Sequence, residues 1–147
     1  MPLTTYHRNK LIDYWYRGET YAQPSNLWAA LLSAASATSH TEVTAGGVAR
    51  VQISCSTSSW AGTQGDGTTA VSSGTTGTTS NNAEIEFVSS ASATVTASFV
   101  GIFDAASSGN LLEYVAIRDG AGNAITRSWG SGDRVLIPAS SLRFTWS

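Results

Sequence analysis

Few of the residues that usually perform chemistry are present in this sequence of 147 residues, which has two histidines and one cysteine. Acyl transfer needs a nucleophile next to a histidine that an acid orients. His7 lies in a predicted helix and His40 in a predicted loop, with Glu42 as the nearby carboxylate. The sequence also has no Gly-x-Ser-x-Gly turn. We therefore expect His40 to be an exposed loop residue and His7 to be solvated or to lie at an interface.

The acidic residues lack the spacing of a metal or sugar-cleaving site. Asp66 stands alone in Gly62–Gly67, whereas a calcium loop needs several carboxylates. No lysine follows these glycines, as it would in a phosphate-binding loop. Glu84 and Glu86 could mimic a glycosidase pair, but any exposed strand places alternate residues about 7 Å apart. We interpret them as solvated or interface charges and predict no enzyme activity, no catalytic residue, no cofactor and no metal.

Cys55 is the only cysteine, so an internal disulfide is excluded. It shares the strand parity of Val51 and Ile53, and no cation is adjacent to it in the sequence. An activated thiol needs such a cation. We therefore interpret Cys55 as a small core residue.

The charge content excludes several classes of partner. Only 12% of the residues are charged, the formal net charge is -2, and the eight Lys and Arg form no cluster. Binding to nucleic acid or to anionic lipid rests on clustered positive charge. No apolar run reaches the roughly 20 residues of a bilayer span, and the N-terminus lacks a secretory pattern. We expect one soluble domain over residues 1–147, made in the cytosol, with neither nucleic acid nor membrane as partner.

The first element is predicted to be a helix over Thr4–Arg17. Thr4 can cap its amide groups, and Leu11, Ile12 and Trp15 form an apolar stripe. Gly18 ends the helix, because glycine adopts the left-handed conformation after a C-terminus without strain. The stripe is expected to face the core.

The rest of the chain is dominated by strand patterns. The run Leu27–Leu32 fits a strand covered on both faces, and a buried helix remains the alternative because Ala and Leu favour helices. Later segments alternate with period two, and a hairpin is expected across Asp104–Asn110. The predicted strands cover 50–55, 83–87, 95–103, 111–117, 124–129, 135–137 and 142–146. This spacing predicts an all-β fold, an antiparallel β-sandwich or jelly-roll-like barrel with one N-terminal helix.

The alternation also predicts a core. The inward positions are Ile53, Cys55, Ile85, Phe87, Phe99, Phe103, Leu112, Phe144 and Trp146. On the same parity, Arg50, Gln52 and Ser54 are expected to face away from it.

A long segment rich in Gly, Ser and Thr, Ser56–Asn82, separates two of these strands. It offers Trp60 and Val71 as its apolar anchors. Such a composition buries little apolar area, so we expect it to depend on contacts for its conformation. It is either a flexible surface loop or an arm that becomes ordered against a neighbouring subunit.

Aromatic residues are more numerous than one small core needs. Five Trp and five Tyr are present, and several crowd the first helix and its exit. Aromatic rings give a large contact area at low entropic cost. The candidate interface residues are Tyr6, Tyr14, Tyr16, Tyr21, Trp60 and Val71.

Several stretches resemble a family of short bacteriophage virion proteins commonly labelled tail-fibre or minor virion structural proteins. They are 9–13 with Arg17-Gly18 and Pro24, 41–50, 60–64 with 78–83, 101–112, and 132–134 through 142–144. The resemblance covers nearly the whole chain in order. It implies a structural role in the virion and names no active residue.

Three functions are consistent with these observations. The first is a capsid decoration or cement protein that docks on the shell as a small homo-oligomer. The second is a tail or tail-fibre structural or adaptor protein, which could contact a host glycan. The third is a carbohydrate-binding module or a hydrolase fragment. We favour the shell, because the chain lacks the heptads or repeats that build elongated fibres, and expect other virion proteins, either the major capsid protein or tail proteins, as partners.

Overall fold

The computed structural model describes residues 3–88 and 93–147. Helix α1 covers Thr5–Tyr16 and begins at Thr4, whose hydroxyl oxygen accepts a hydrogen bond from the His7 amide at 3.3 Å. Its C-terminal cap is Arg17, and Gly18 follows with φ of 73°. The predicted helix and both of its end signals are confirmed. Within residues 3–88 and 93–147, no helix is long and apolar enough to cross a bilayer.

The strands follow the helix and are short apart from the first. They are β1 (Asn26–Ala35), β2 (His40–Glu42), β3 (Val51–Ser54), β4 (Thr78–Ser80), β5 (Ile85–Phe87), β6 (Val95–Ala97), β7 (Phe99–Phe103), β8 (Leu111–Ala116), β9 (Arg127–Trp129), β10 (Val135–Ile137) and β11 (Arg143–Thr145). The run Leu27–Leu32 lies in a strand rather than in a helix, and its residues 29–32 are all buried. Strands β7 and β8 form the expected hairpin, in which the Asp104 carboxylate accepts from the Asn110 amide at 2.7 Å.

Strand β1 organises one antiparallel sheet. The sheet has the order β2-β1-β7-β8, and β3 pairs with the first half of β1. Strand β8 lies at the edge, where Leu3 forms a bridge to Glu113 and the Thr4 amide donates to the Leu112 carbonyl at 2.9 Å. The segment that leads into α1 therefore covers part of this edge, as edge strands require.

Three further two-stranded pairs are β10-β5, β11-β4 and β6-β9. Their apolar side chains share the main core with the sheet, and there β1 and β7 meet Ile85, Phe87, Val135 and Phe144. A smaller cluster on the other face of the sheet contains Leu32 and Phe103. The arrangement is an all-β, sandwich-like fold with one short N-terminal helix, as predicted.

The predicted core is confirmed in part. Ile85, Phe87, Phe103, Leu112 and Phe144 are buried. Ile53, Cys55 and Phe99 are only half-buried. Trp146 is 44% exposed, so its prediction was wrong. Strand β11 ends at Thr145, and beyond that residue the alternation no longer fixes which way a side chain points.

The segment 56–82 has more structure than its composition predicted. Strand β4 lies within it and pairs with β11. Upstream of β4, hydroxyl and amide side chains bond to the main chain: Thr76 donates to the Thr63 carbonyl at 2.7 Å, and Gln64 accepts from the Ser73 amide at 3.2 Å. A side chain at Gly74 would overlap the Thr63 carbonyl. These hydrogen bonds and the pairing of β4 with β11 hold the segment in place, and they are contacts of the kind on which its conformation was expected to depend.

Candidate functional site

The second half of α1 presents an apolar surface to solvent. Ile12 is 45%, Tyr14 49%, Trp15 72% and Tyr16 85% exposed. We call these four residues the aromatic tip. The expected stripe of Leu11, Ile12 and Trp15 does not face the core, because α1 meets the sheet at its edge strand β8 and the buried residue of the helix is His7. Contiguous exposed apolar surface is typical of interaction sites, so this end of the helix is the candidate site.

The aromatic tip is held in shape by its own contacts. The Tyr14 and Trp15 rings lie 5.3 Å apart at 82°, which is the favoured edge-to-face geometry. The Arg17 guanidinium pairs with the Asp13 carboxylate at 2.9 Å, one turn earlier. A tip ordered before binding loses less entropy when a partner covers it.

The first turn of α1 belongs to a second cluster, which is mostly covered. The His7 ring lies 6.0 Å from both the Tyr21 ring and the Trp146 ring. The indole N–H of Trp146 donates to the Glu113 carboxylate at 3.2 Å. His7 is 8% exposed, so the expectation that it is solvated was wrong: the side chain lies inward at the base of the helix.

Burial shifts the titration of this cluster. Desolvation raises the pKa of Glu113 to about 7, against the opposing effect of the Trp146 hydrogen bond. Desolvation also lowers the pKa of His7 and raises the pKa of Tyr21. His7 Nδ1 is buried with no hydrogen-bond partner among the described residues. The cluster therefore anchors the helix while holding three weakly solvated titratable groups.

An open groove of about 840 Å³ lies between β8 and the β10–β11 region. Its walls include the apolar side chains of Val115, Ile117 and Ile137, which are half-buried. Three exposed arginines, Arg118, Arg127 and Arg143, also line it. No pattern in the sequence indicates this groove, because its residues come from strands far apart in the chain.

The three arginines are held by different contacts. The Arg118 guanidinium donates to the Gly122 carbonyl at 2.8 Å, and that of Arg127 lies 5.2 Å from the centre of the Trp129 ring. Arg143 pairs with Asp66. The groove therefore combines apolar walls with positive charge.

The remaining candidate interface residues are scattered. Tyr6 and Tyr21 are half-buried near the first turn of α1, and the Lys10 ammonium lies 5.9 Å from the centre of the Tyr6 ring. Trp60 is half-buried and its ring packs 6.3 Å from that of Phe144, whereas Val71 is 81% exposed. Only Tyr14 and Tyr16 of the predicted set belong to the aromatic tip.

The residues considered for chemistry are engaged in other contacts. The Arg134 guanidinium lies 2.9 Å from Glu86 and 4.0 Å from Glu84, which makes these carboxylates partners of a cation. The carboxylate of Asp66 accepts from Ser80 at 2.9 Å as well as from Arg143. Burial raises the pKa of the Cys55 thiol, so the reactive thiolate is disfavoured. Residues 3–88 and 93–147 contain no group of three or more His, Cys, Asp or Glu arranged to hold a metal ion.

A family model described as "Podophage GP4 fiber I protein gp80" matches residues 2–145. A search of curated proteins finds no match.

Proposed function

This chain belongs to the podophage GP4 fiber I protein gp80 family, and from that membership we propose that it is a tail-fibre subunit or adaptor that joins neighbouring virion proteins. The family supports a structural component of the phage virion and favours the fibre over the capsid shell. The expectation of a decoration or cement protein has no support in that match, so the tail-fibre alternative replaces it.

The observation that carries this proposal is the aromatic tip. A tail component must hold its neighbours through surfaces that are empty in the isolated chain, and Trp15 and Tyr16 are 72% and 85% exposed. Each aromatic side chain can bury roughly 150–250 Å² in a contact. The tip can therefore supply a large part of the roughly 800 Å² that one partner contributes to a standard interface.

The test is virion incorporation of a double variant, Trp15→Ala with Tyr16→Ala. Both side chains are exposed, so the variant is expected to keep the circular dichroism spectrum and thermal midpoint of the unmodified protein. Val88→Ser is the matched control, because Val88 is an apolar residue 76% exposed outside the tip. We expect the double variant to be depleted from purified virions and the control to be retained. Equal incorporation of both would contradict the proposal.

Labelling of virions separates the tail from the shell. Gold-conjugated antibody against this chain is expected to mark the tail under electron microscopy. Labels distributed over the shell would instead restore the decoration role and overturn the tail-fibre assignment.

We propose a second, smaller contact at the segment 56–82. Val71 is 81% exposed on a segment whose main chain is held by hydrogen bonds. The arm expected from the sequence would therefore present a rigid apolar contact within the single domain 1–147. Val71→Ser is expected to weaken assembly less than the double variant of the tip. Deleting residues 63–79 is unsuitable as a test, because it removes most of β4 and its pairing with β11.

As a tail-fibre subunit or adaptor, this chain is expected to act in assembly and not in catalysis. The support is the family and the ion pairs that hold Glu84, Glu86 and Asp66. Purified protein is expected to leave ester, glycan and peptide substrates unchanged. Turnover abolished by substituting one acidic residue or one histidine would contradict this part of the proposal.

A further inference from the structure

We propose that the groove between β8 and the β10–β11 region receives the aromatic tip of a second copy of this chain. The proposal rests on the proposed function, because it assumes that the tip is an assembly surface, and it adds the surface that the tip contacts. Donor and acceptor are different surfaces of one chain, so copies would join head to tail.

The groove and the aromatic tip present matching apolar surfaces. The groove has a volume of about 840 Å³, and its walls expose parts of Val115, Ile117 and Ile137. The tip exposes Trp15 and Tyr16 on a convex helix end. Its four residues are absent from the groove walls of their own chain. An apolar projection and an apolar recess therefore both lie open on each copy.

The groove and the tip carry complementary charges. Arg118 and Arg127 give the groove an excess of positive charge over the single acid in its walls, Asp119, while the charge of Arg143 is balanced by Asp66. The tip lies at the C-terminal end of α1, where the helix dipole is negative. Glu19 follows it in the chain, while Asp13 and Arg17 pair with each other and balance each other's charge. Complementary charges at the rim of a contact favour this partner and orient it.

A symmetric contact, in which two tips meet each other, is less favourable than the contact of a tip with a groove. If two tips met each other, the negative ends of the two helices would face one another, which is unfavourable. Seating a tip among arginines removes that repulsion. A contact between two different surfaces forms a ring when the rotation closes and a filament when it does not, and either product suits a part of a fibre.

The test uses variants that disable one surface at a time. The tip variant is Trp15→Ala with Tyr16→Ala. The groove variants are Arg118→Glu with Arg127→Glu, which reverses the rim charge, and Ser141→Trp, which fills the groove at an exposed position in its wall. Their matched controls are Arg8→Glu and Ser107→Trp, at exposed positions outside the groove. Circular dichroism confirms that each variant folds.

We expect the tip variant and both groove variants to lower the self-association constant at least tenfold, roughly the effect of losing a main anchor or reversing a rim charge. Sedimentation velocity measures it, and the controls are expected to associate as the unmodified protein does. The decisive result is the mixture of the tip variant with a groove variant. The pair retains one intact tip and one intact groove, so it is expected to form a one-to-one complex that grows no further.

Three results would overturn the proposal. One is an unmodified protein that stays monomeric at all concentrations. Another is a tip variant that loses association while the groove variants keep it; the tip would then contact a different surface, and the proposed function would stand. The last is a groove variant with unchanged association but weaker binding to host cells, which would assign the groove to a host surface glycan. A different result would show that the proposed function is wrong: the tip variant would be incorporated into virions normally.

Discussion

The guanidinium carbon of Arg50 lies 3.6 Å from the centre of the Phe103 ring. The same guanidinium pairs with the Glu42 carboxylate at 2.8 Å and donates to the Ala105 and Ser108 carbonyls, each at 2.8 Å. One side chain thus joins the segment before β3 to the loop of the β7–β8 hairpin. A guanidinium is suited to this role, because it combines several donors with a flat face that stacks on aromatic rings.

Arg50→Met is expected to lower the free energy of unfolding by about 3 kcal/mol, because it leaves the Glu42 carboxylate unpaired and two carbonyls without a donor. The Arg50 side chain is only 6% exposed, so water compensates poorly. Urea denaturation measures the loss. Arg17→Met is the matched control, since its ion pair with Asp13 is exposed. It is expected to cost less than about 0.5 kcal/mol. Equal losses in the two variants would show that burial of the pair is unimportant.

The double variant Arg50→Met with Glu42→Gln is expected to recover part of that loss, because no unpaired carboxylate remains. A double-mutant cycle measures the coupling between the two residues. Strictly additive losses would mean that Arg50 acts through Phe103 and the hairpin loop alone.

Gly101→Ala is expected to lower stability by about 2 kcal/mol through overpacking. A Cβ atom at this position would lie 2.7 Å from methyl groups of both Leu32 and Leu111. Gly120→Ala is the control, because a Cβ there meets nothing within 4 Å. The difference between the two thermal midpoints is the measurement. A Gly101→Ala protein as stable as the control would show that both leucines can move aside without cost.

Asn81→Ala is expected to cost about 2 kcal/mol, because the buried Leu142 amide and two part-buried carbonyls lose their partner. The Asn81 amide donates to the Ala83 and Pro138 carbonyls at 2.8 and 2.9 Å, and its carbonyl accepts from the Leu142 amide at 2.9 Å. Asn123→Ala, at an exposed turn, is the control. Denaturant unfolding measures the loss of stability in each variant and compares a buried amide side chain with one at an exposed turn. A small loss at Asn81 would mean that water enters and replaces these bonds.

The Glu113–Trp146 contact predicts a pH dependence. The pKa of Glu113 is about 7 in the folded chain against an ordinary 4.5, so the folded state holds the proton more tightly. Stability is therefore expected to fall as pH rises from about 4.5 to 7, by about 3 kcal/mol, and to change no further with this group above that range. Urea denaturation across this range measures it. Glu113→Gln, which keeps an acceptor for Trp146, is expected to remove the fall.

His7 opposes this trend. Its pKa is lowered by burial, against the raising effects of the Leu112 carbonyl and of Asp104. The unfolded state therefore takes up the proton first, and stability is lost as pH falls through the ordinary pKa of histidine, 6.5. Subtracting the dependence of stability on pH in Glu113→Gln from that in the unmodified protein isolates the contribution of Glu113. A difference that is flat with pH would contradict the raised pKa.

Local patterns in the sequence predict the elements well. The ends of α1 follow from Thr4 and Gly18, and β10 coincides with the predicted strand at 135–137. Alternation places Ile85 and Phe87 inward and Glu84 and Glu86 outward, as found. These features depend on neighbours a few residues away, which a sequence pattern records directly.

Surfaces depend on distant neighbours and are predicted less well. The alternation sends Arg50 to the solvent side, but a carboxylate and the loop of a remote hairpin cover it. The stripe of α1 predicts a buried face, but α1 meets only the edge of the sheet, so Ile12 and Trp15 remain exposed. The groove arginines are isolated in the sequence and meet only through strand pairing.

The burial of Arg50 also determines where a protease can act. Trypsin cuts after lysine or arginine, and between Arg17 and Arg118 the sequence has no such residue other than Arg50. Cleavage at Arg50 requires local opening, because its guanidinium is held beneath the β7–β8 loop. The long segment rich in Gly, Ser and Thr, ordinarily an easy target, has no cleavage site at all. Between the exposed Arg17 and Arg118, limited trypsin digestion would therefore report the opening of one hairpin, and this stretch would stay in one piece in a trypsin-rich environment for as long as that hairpin stays closed.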